Sequence, residues 1–250
     1  MDLHLTGKTV LITGGSKGIG AACAQSFAAE GCNLILVARN QQLLSKVQAD
    51  LIARYKVQVD VHALDLRKPA ELKQAADLCA SIDILINNAG DIPSGTIETI
   101  DDMAWRHAWE LKLFGTINLT RQAYAAMKER RSGVIVNVIG MAGERASFDY
   151  LCGSTANAGL AAFTKGMGLG SKEFGVRVMG VHPPSTRTER IDNMLKATAK
   201  RRYGDETRTA DLIKDGIFLP AIEPEQVADA VVYLASPRAS QLSGIVVNLG

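Results

Sequence analysis

The sequence lacks several features that would point to specialised classes of protein. It has no run of 18 apolar residues, so we expect no membrane-spanning helix. Its net charge is only +2, which is too small to indicate binding to nucleic acid or to an anionic membrane. The cysteines do not have the spacing of metal ligands, so we expect reduced thiols and no metal site. The four cysteines are Cys23, Cys32, Cys79 and Cys152.

The N-terminal stretch MDLHLTGKTVLITGG also lacks the charged block, apolar block and cleavage site of a secretory signal. Hydrophobic residues make up 47% of the chain and charged residues 22%, an ordinary balance for a globular protein. Together with the cysteine usage, these features favour a cytoplasmic protein that acts on a small molecule.

Short β-branched runs alternate with longer helical patterns along the 250 residues. Runs such as LILVA and VIVNV are apolar throughout, as strands covered on both faces must be. The alternation predicts one α/β domain over residues 1–250, a Rossmann-type doubly wound parallel sheet of about seven strands with helices on both faces. The predicted strands are Thr9–Thr13, Asn33–Ala38, Val57–Ala63, Ile82–Asn87, Val134–Val138, Val176–His182 and Ile245–Asn248. The predicted helices lie near 18–30, 40–55, 69–80, 101–131, 154–174 and 223–235.

Two segments stand out from this alternation. The predicted helix at 101–131 begins with the capping pattern TIDD. It then places Trp105, Trp109, Leu113 and Ile117 at four-residue intervals, a stripe that faces either the sheet or a partner subunit. The only long polar segment, 184–215, is typical of a lid or substrate loop in a compact domain.

A glycine-rich stretch, TVLITGGSKGIG, follows the first predicted strand and leads into a helix. Gly14 permits a tight turn, Gly18 allows the backbone to approach a diphosphate, and Gly20 allows the helix and strand to pack closely. The helix N-terminus adds free N–H groups and a positive dipole. This context predicts a dinucleotide site. Its expected contacts in the loop are Gly14, Ser16, Lys17, Gly18, Ile19 and Gly20.

The end of the second strand, LVARN, indicates which dinucleotide is preferred. A carboxylate there would bind the ribose hydroxyls of NAD, but Ala38 offers none. Arg39 and Lys17 offer positive charge for a 2′-phosphate, or are simply solvated. We therefore predict NADP, with NAD as the alternative. After the third and fourth strands, the motifs ALDL and NNAG supply the remaining predicted cofactor contacts. These contacts are Asp65, whose carboxylate faces the adenine amino group, Leu66, Asn88, Ala89 and Gly90.

These motifs together resemble the short-chain dehydrogenase/reductase family over the whole chain: TGGSKGIG, NNAG and the C-terminal GIVVNLG match its pattern. The resemblance implies hydride transfer between a nicotinamide ring and a carbonyl or alcohol. It also implies a nicotinamide contact at Thr188, and a homodimer or homotetramer assembled through helices 101–131 and 154–174. In the family, an asparagine, a serine, a tyrosine and a lysine usually carry the chemistry.

At those four positions this sequence departs from the family pattern. Lys112 stands for the asparagine, Gly140 for the serine, Gly153 for the tyrosine and Asn157 for the lysine. In the loop that usually reads NPG, Pro184 replaces the glycine. Glycine and asparagine exchange no proton at neutral pH, so the usual relay cannot operate.

Tyr150 is the nearest phenol to the changed positions, and we hypothesise that it forms a displaced acid/base pair with Lys112. The alternative is that Tyr150 packs its ring while Lys112 is solvated. His182 is another acid/base candidate, or a strand-end histidine with a local hydrogen bond.

Three arginines lie in the loops after the fifth and sixth strands: Arg145, Arg187 and Arg190. We expect them either to recognise a carboxylate or phosphate of the substrate or to form a solvated basic rim. Three functions stay open on the sequence: an oxidoreductase with a rearranged relay, a catalytically silent nucleotide-binding homologue with a binding or regulatory role, and a lyase or isomerase that reuses the site.

Overall fold

A single parallel sheet of seven strands, in the order β3-β2-β1-β4-β5-β6-β7, organises the chain. The computed structural model describes residues 1–218 and 220–250. The strands are β1 Thr9–Thr13, β2 Asn33–Ala38, β3 Val59–Ala63, β4 Ile84–Asn87, β5 Gly133–Val138, β6 Val176–His182 and β7 Val246–Asn248. The described helices are α1 Gly18–Ala29, α2 Gln41–Arg54, α3 Pro69–Leu78, α4 Asp102–Trp109, α5 Gly115–Glu129, α6 Leu151–Ser171, α7 Glu189–Tyr203, α8 Thr209–Lys214 and α9 Pro224–Ala235.

Apolar cores lie on both faces of the sheet. One core packs α1 and α9 against β1, β2 and β4, with Phe27 fully buried among the helix residues. The other packs α3 and α5 against the opposite face, with Leu119 and Met127 fully buried. This arrangement confirms the predicted doubly wound α/β fold. No helix in residues 1–218 or 220–250 is long and apolar enough to cross a membrane.

The observed ends of the elements differ from the sequence-based predictions by up to three residues, for identifiable reasons. β3 begins at Val59 rather than Val57 because the backbone N–H of Gln58 donates to the Asn33 side chain at 3.0 Å. Asp83 precedes β4 because its carboxylate accepts from the backbone of Thr9 at 2.9 Å. In both places a side-chain oxygen accepts from a backbone N–H at the edge of the strand, next to the backbone hydrogen bonds between the strands.

The helix predicted over 101–131 is interrupted. Asp101 caps α4 through a 2.7 Å hydrogen bond from the Ala104 backbone, as the TIDD pattern indicated. A wide π-helical turn, Glu110–Phe114, then separates α4 from α5. Such turns insert one residue into a helix and are frequent at functional sites. This one contains Lys112.

The order of the strands creates a crevice beside β1 and β4, where the connections leave the sheet in opposite directions. In doubly wound sheets, ligands bind at this switch point, outside the carboxyl ends of the strands. The glycine loop occupies the position between β1 and α1. Gly14 (φ +69°) and Gly18 (φ +54°) adopt left-handed backbone conformations that favour glycine. A Cβ at Gly20 would overlap the carbonyl oxygen of Gly14.

We therefore expect Gly20→Ala to lower the free energy of unfolding by roughly 1–3 kcal/mol, because the new methyl group forces α1 away from the loop. Gly166 is a matched control, since it is also helical but a Cβ there meets no atom within 4 Å. Gly166→Ala should raise the free energy of unfolding by up to about 1 kcal/mol. Urea denaturation of both variants checks this, and equal effects would contradict the close approach of Gly20.

Candidate active site

A cleft of about 1530 Å³ follows the carboxyl ends of the strands. It exceeds the roughly 300–1,000 Å³ of a typical pocket for a drug-sized ligand and offers room for an extended one. Its walls come from the glycine loop, the residues that follow β2, β4, β5 and β6, and the first half of α7. The polar segment 184–215 thus contains two helices, α7 and α8, and its N-terminal part borders the cleft.

The N-terminus of α1 is suited to an anion. No side chain caps it, and its first turn contains no acidic residue, so its N–H groups and positive dipole stay available. Thr188 lies directly over the loop, with its Cγ2 3.0 Å from where a Cβ of Gly18 would lie. Lys17 Nζ pairs with Glu189 Oε2 at 2.6 Å on the surface, which links the loop to α7.

The end of β4 forms the opposite wall. The Thr13 hydroxyl accepts from the backbone N–H groups of Asn88 at 2.9 Å and Ala89 at 3.0 Å. The Asn88 amide donates to the Thr13 carbonyl at 3.0 Å. These bonds fasten the NNAG segment to the glycine loop, so that both segments hold fixed positions on the two sides of the switch point.

Two arginine–carboxylate pairs lie after β2, β3 and β4, where the sequence predicts the adenosine part of the dinucleotide. Arg67 holds the Asp65 carboxylate through its Nε at 2.9 Å, and Asp65 does not line the cleft. Burial opposes ionisation of Asp65, but the hydrogen bonds and charge of Arg67 outweigh it and lower the pKa of that carboxyl. Arg39 lies beside Asp91 at 3.3 Å, in a pair whose side chains are both more than half exposed.

At the other end of the cleft, Tyr150 lies just before α6. Its hydroxyl accepts a hydrogen bond from Arg190 Nη2 at 2.6 Å. Its ring fills the space beside Gly153, where a Cβ would overlap ring carbons. Burial raises the pKa of the Tyr150 hydroxyl, although the charge and hydrogen bond of Arg190 act in the opposite direction. Gly153 therefore makes room for the displaced phenol.

Lys112 is a buried cation in the same region, with only 6% of its surface exposed. Its Nζ donates to the carbonyl of Val138 at 2.7 Å, and its stem packs against Gly90, where a Cβ would lie 2.8 Å from Cδ. Burial, together with the charge of Arg190, lowers the pKa of Lys112 from 10.5 to about 7. Its amine therefore exchanges protons near neutral pH.

Three residues that are joined by hydrogen bonds, Gly140, Asn157 and His182, lie behind these side chains. Gly140 (φ +131°) turns its carbonyl towards Nδ1 of His182 at 2.7 Å and Nδ2 of Asn157 at 3.4 Å. Burial lowers the pKa of His182, whose side chain is fully buried, so it is a neutral ring that orders this turn. The Oδ1 atom of Asn157 is buried and has no hydrogen-bond partner among residues 1–218 and 220–250, and Asn157 lines the cleft.

The comparison with known proteins agrees with this geometry. The sequence profile of short chain dehydrogenases matches residues 8–199. The chain belongs to the short-chain dehydrogenase family. It is 31% identical to a 3-oxoacyl-[acyl-carrier-protein] reductase of Vibrio cholerae, over 97% of this chain and 95% of that protein.

Two solved structures of this family show the same fold with a nicotinamide cofactor bound. The L-sorbose reductase of Gluconobacter frateurii, in complex with NADPH and L-sorbose, is 28% identical with a TM-score of 0.89 and covers 100% of this chain and 97% of its own. A 7α-hydroxysteroid dehydrogenase in complex with NADH is 25% identical with a TM-score of 0.84 and covers 99% and 94%. Cofactors of both kinds thus occur among the similar proteins.

In this member of the family, most of the residues predicted from the sequence border one cleft. Gly20 and Gly153 lie behind it, where they allow close packing. The contact between Arg190 and Tyr150 could not be predicted, because the two residues are 40 positions apart in the chain. The hydroxyl of Tyr150 lies with Arg190, and the amine of Lys112 lies with the Val138 carbonyl.

The lowered pKa of Lys112 has a consequence for stability. Between about pH 7 and 10.5 the unfolded chain keeps a proton on Lys112 that the folded chain has lost, so this group makes the folded state more stable as the pH rises. Lys112→Met removes that dependence. We expect its unfolding free energy to exceed the wild-type value most below pH 7, and the excess to fall by up to about 1.4 kcal/mol per pH unit towards pH 10.

Urea denaturation of the wild type and the variant between pH 6 and 10 measures this difference. Lys73→Met is the control, because 75% of the Lys73 side chain is exposed. An excess for Lys112→Met that does not change with pH would show that the buried amine keeps an ordinary pKa.

Proposed function

We propose that the protein is an oxidoreductase that uses NADP(H) to interconvert a small carbonyl compound and its alcohol, with a non-standard proton relay. The observation that carries this proposal is the Tyr150 hydroxyl, held by Arg190 in the same cleft as the glycine loop. The four positions that usually hold the catalytic set carry residues that cannot reproduce it. These residues are Lys112, Gly140, Gly153 and Asn157.

The residues of the cleft fit a dinucleotide. The uncapped start of α1 and the three glycines suit a diphosphate, since a side chain at Gly18 would press against Thr188. The partnerless Oδ1 of Asn157 would accept a hydrogen bond from a sugar hydroxyl. The other proposed contacts that line the cleft are Gly14, Ser16, Lys17, Ile19, Arg39, Leu66, Asn88, Ala89 and Gly90. Two further predicted contacts, Gly20 and Asp65, do not line it.

The reacting proton comes from Tyr150. When bound, the nicotinamide supplies the hydride that the carbonyl carbon accepts. Burial raises the pKa of the Tyr150 hydroxyl and so favours its protonated form, and this hydroxyl donates the proton that the carbonyl oxygen takes up as the alcohol forms. Arg190 stabilises the phenolate left behind, an interaction that strengthens as negative charge develops. We assign the return of a proton to Lys112, whose pKa is about 7.

We expect Tyr150→Phe to lower kcat/KM by roughly 100-fold or more, because the general acid is lost. The Kd for NADPH should not change, because the ring still fills the space beside Gly153. Carbonyl reduction followed by NADPH absorbance, and NADPH binding followed by fluorescence, measure the two quantities. Tyr233→Phe is the control, since Tyr233 lies on α9 outside the cleft. Unchanged turnover in Tyr150→Phe would exclude Tyr150 as the acid.

The preference for NADP rests on Arg39. This side chain follows β2, where the adenosine ribose of a bound dinucleotide lies. Its partner Asp91 makes an exposed ion pair of the kind that contributes about 1 kcal/mol or less, so little is lost when Arg39 turns to a 2′-phosphate. No carboxylate stands in the place of Ala38 to repel that phosphate.

Arg39→Ala should therefore raise the Kd for NADPH roughly tenfold or more, since a charge-assisted hydrogen bond is lost. The Kd for NADH should change by less than about twofold. Fluorescence titration with both cofactors checks this prediction. A parallel loss for the two cofactors would mean that Arg39 shapes the pocket without reading the 2′-phosphate.

We also propose a homodimer or homotetramer in the cytoplasm. Support comes from large apolar side chains that lie exposed on the segments expected to pair. They are Met103 at 77%, Phe114 at 43% and Leu169 at 79% exposure. Sedimentation velocity tests the assembly, and a monomer at micromolar concentration would contradict it.

A binding-only role is the second candidate, favoured by the loss of the usual proton donor at Gly153. A binding-only protein would use the same dinucleotide site as the proposed enzyme but would not convert a substrate. NADPH binding without oxidation, across a broad panel of ketones, aldehydes and oxo acids, would favour this role over the enzyme. Absence of NADPH binding would contradict both.

A further inference from the structure

Five of the six basic side chains that border the cleft fall into two groups. Lys17, Arg39 and Arg187 each pair with a carboxylate, at 2.6, 3.3 and 2.7 Å. Arg190 and Lys112 contact only carbonyl and phenol oxygens within the described residues. The carboxylate partners of the first group are Glu189, Asp91 and Glu223. Arg54, which lies on α2 away from Tyr150 in the chain, also borders the cleft and forms no ion pair within the described residues. Beside Tyr150, no carboxylate of the described residues pairs with Arg190.

The guanidinium of Arg190 is held loosely enough to accept a ligand. Two of its contacts, with the carbonyl oxygens of Gly90 and Ile92, are both 3.4 Å long. Only the 2.6 Å bond to Tyr150 is short. Because a guanidinium carries five N–H donors in a planar fork, it can bind a carboxylate with two parallel bonds while keeping its contact with the phenol.

The nearby acidic residues do not provide the missing negative charge. Asp91 faces Arg39, and Asp149 faces Arg201 at 3.5 Å. Lys112 lies close enough to Arg190 for the two charges to interact unfavourably, and this repulsion helps to lower the pKa of Lys112. Lys112 is buried, whereas Arg190 is exposed to solvent at the cleft, so an anionic ligand can reach its guanidinium from solvent and supply a negative charge there.

The surroundings favour an anion with a single charge. Arg190 lies in the first turn of α7, where Glu189 and Asp192 already oppose the positive end of the helix dipole. A phosphate dianion would bring a second negative charge to this acidic first turn of α7. A carboxylate needs only the fork of Arg190.

We propose that Arg190 binds the carboxylate of the substrate, which makes the substrate class a short oxo acid or the corresponding hydroxy acid. The assignment of the reacting carbonyl rests on the proposed function, whereas the carboxylate site does not. The carbonyl carbon then lies within a few bonds of the carboxylate, so that the guanidinium orients the oxygen that Tyr150 protonates. Arg190 thereby selects ligands that carry a carboxylate. Its bond to Tyr150 also holds the phenol beside the reacting carbonyl.

Equilibrium binding tests the carboxylate site without relying on turnover. Isothermal titration with 2-oxobutanoate and 3-oxobutanoate, each beside its methyl ester, is run on the protein saturated with oxidised NADP, which cannot reduce them. We expect one of the acids to bind roughly tenfold or more tightly than its ester. Arg190→Gln should remove this difference, and Arg190→Lys should keep part of it because the charge stays while the fork is lost.

Arg187→Gln is the matched control, since Arg187 lies on the same segment with its charge balanced by Glu223, and it should keep the preference for the acid.

Equal binding of acid and ester, or binding of neither, would overturn the proposal. So would an Arg190→Gln variant whose main loss is in NADP affinity, because Arg190 would then serve the cofactor. If NADP does not bind, the proposed function fails, and the same titration without dinucleotide still decides the carboxylate site. Acid binding without turnover in NADPH would retain the site and reject the oxidoreductase.

Discussion

The close contact between the backbone of Gly14 and Gly20 is the constraint on which the cleft depends. Because no Cβ separates them, the first turn of α1 lies directly against the end of β1. This packing directs the free N–H groups of the helix into the crevice and leaves the Asn88 amide within reach of the loop. The switch point of the sheet thus becomes a place where backbone groups, rather than side chains, meet an anion.

The fold and the glycine loop at the end of β1 could be predicted because their signals are local. A buried strand, three glycines at fixed spacing and a helix follow one another within β1 and α1, and the same backbone geometry is needed wherever this sequence occurs. The interruption at Glu110–Phe114 could not be predicted, because the apolar stripe of α4 and α5 continues across it. α6 begins at Leu151, three residues before the predicted start at 154, and Gly153 lies in its first turn against the Tyr150 ring.

The catalytic half depends on contacts between distant segments, which a single sequence does not reveal. The sequence points to Tyr150 because it lies three residues before Gly153, and the structure places Tyr150 on the wall of the cleft. Its partner Arg190 comes from α7, so only the three-dimensional arrangement brings the two together. Lys112 was identified as a cation, but its burial and its bond to Val138 depend on the turn in which it lies. This end of the cleft thus combines a phenol, a guanidinium and a buried amine, which are the groups that the proposed proton relay would use.

The wide turn between α4 and α5 has a further consequence. An α-helix rotates by about 100° per residue, so the one extra residue in this turn decides which side chains downstream face the sheet. Removal of a single residue from 110–114 would turn either Lys112 or the whole buried face of α5 away from its present neighbours. This segment is therefore expected to tolerate exchange of side chains but not change of length, and related chains with a shorter turn would present a different residue at the floor of the cleft.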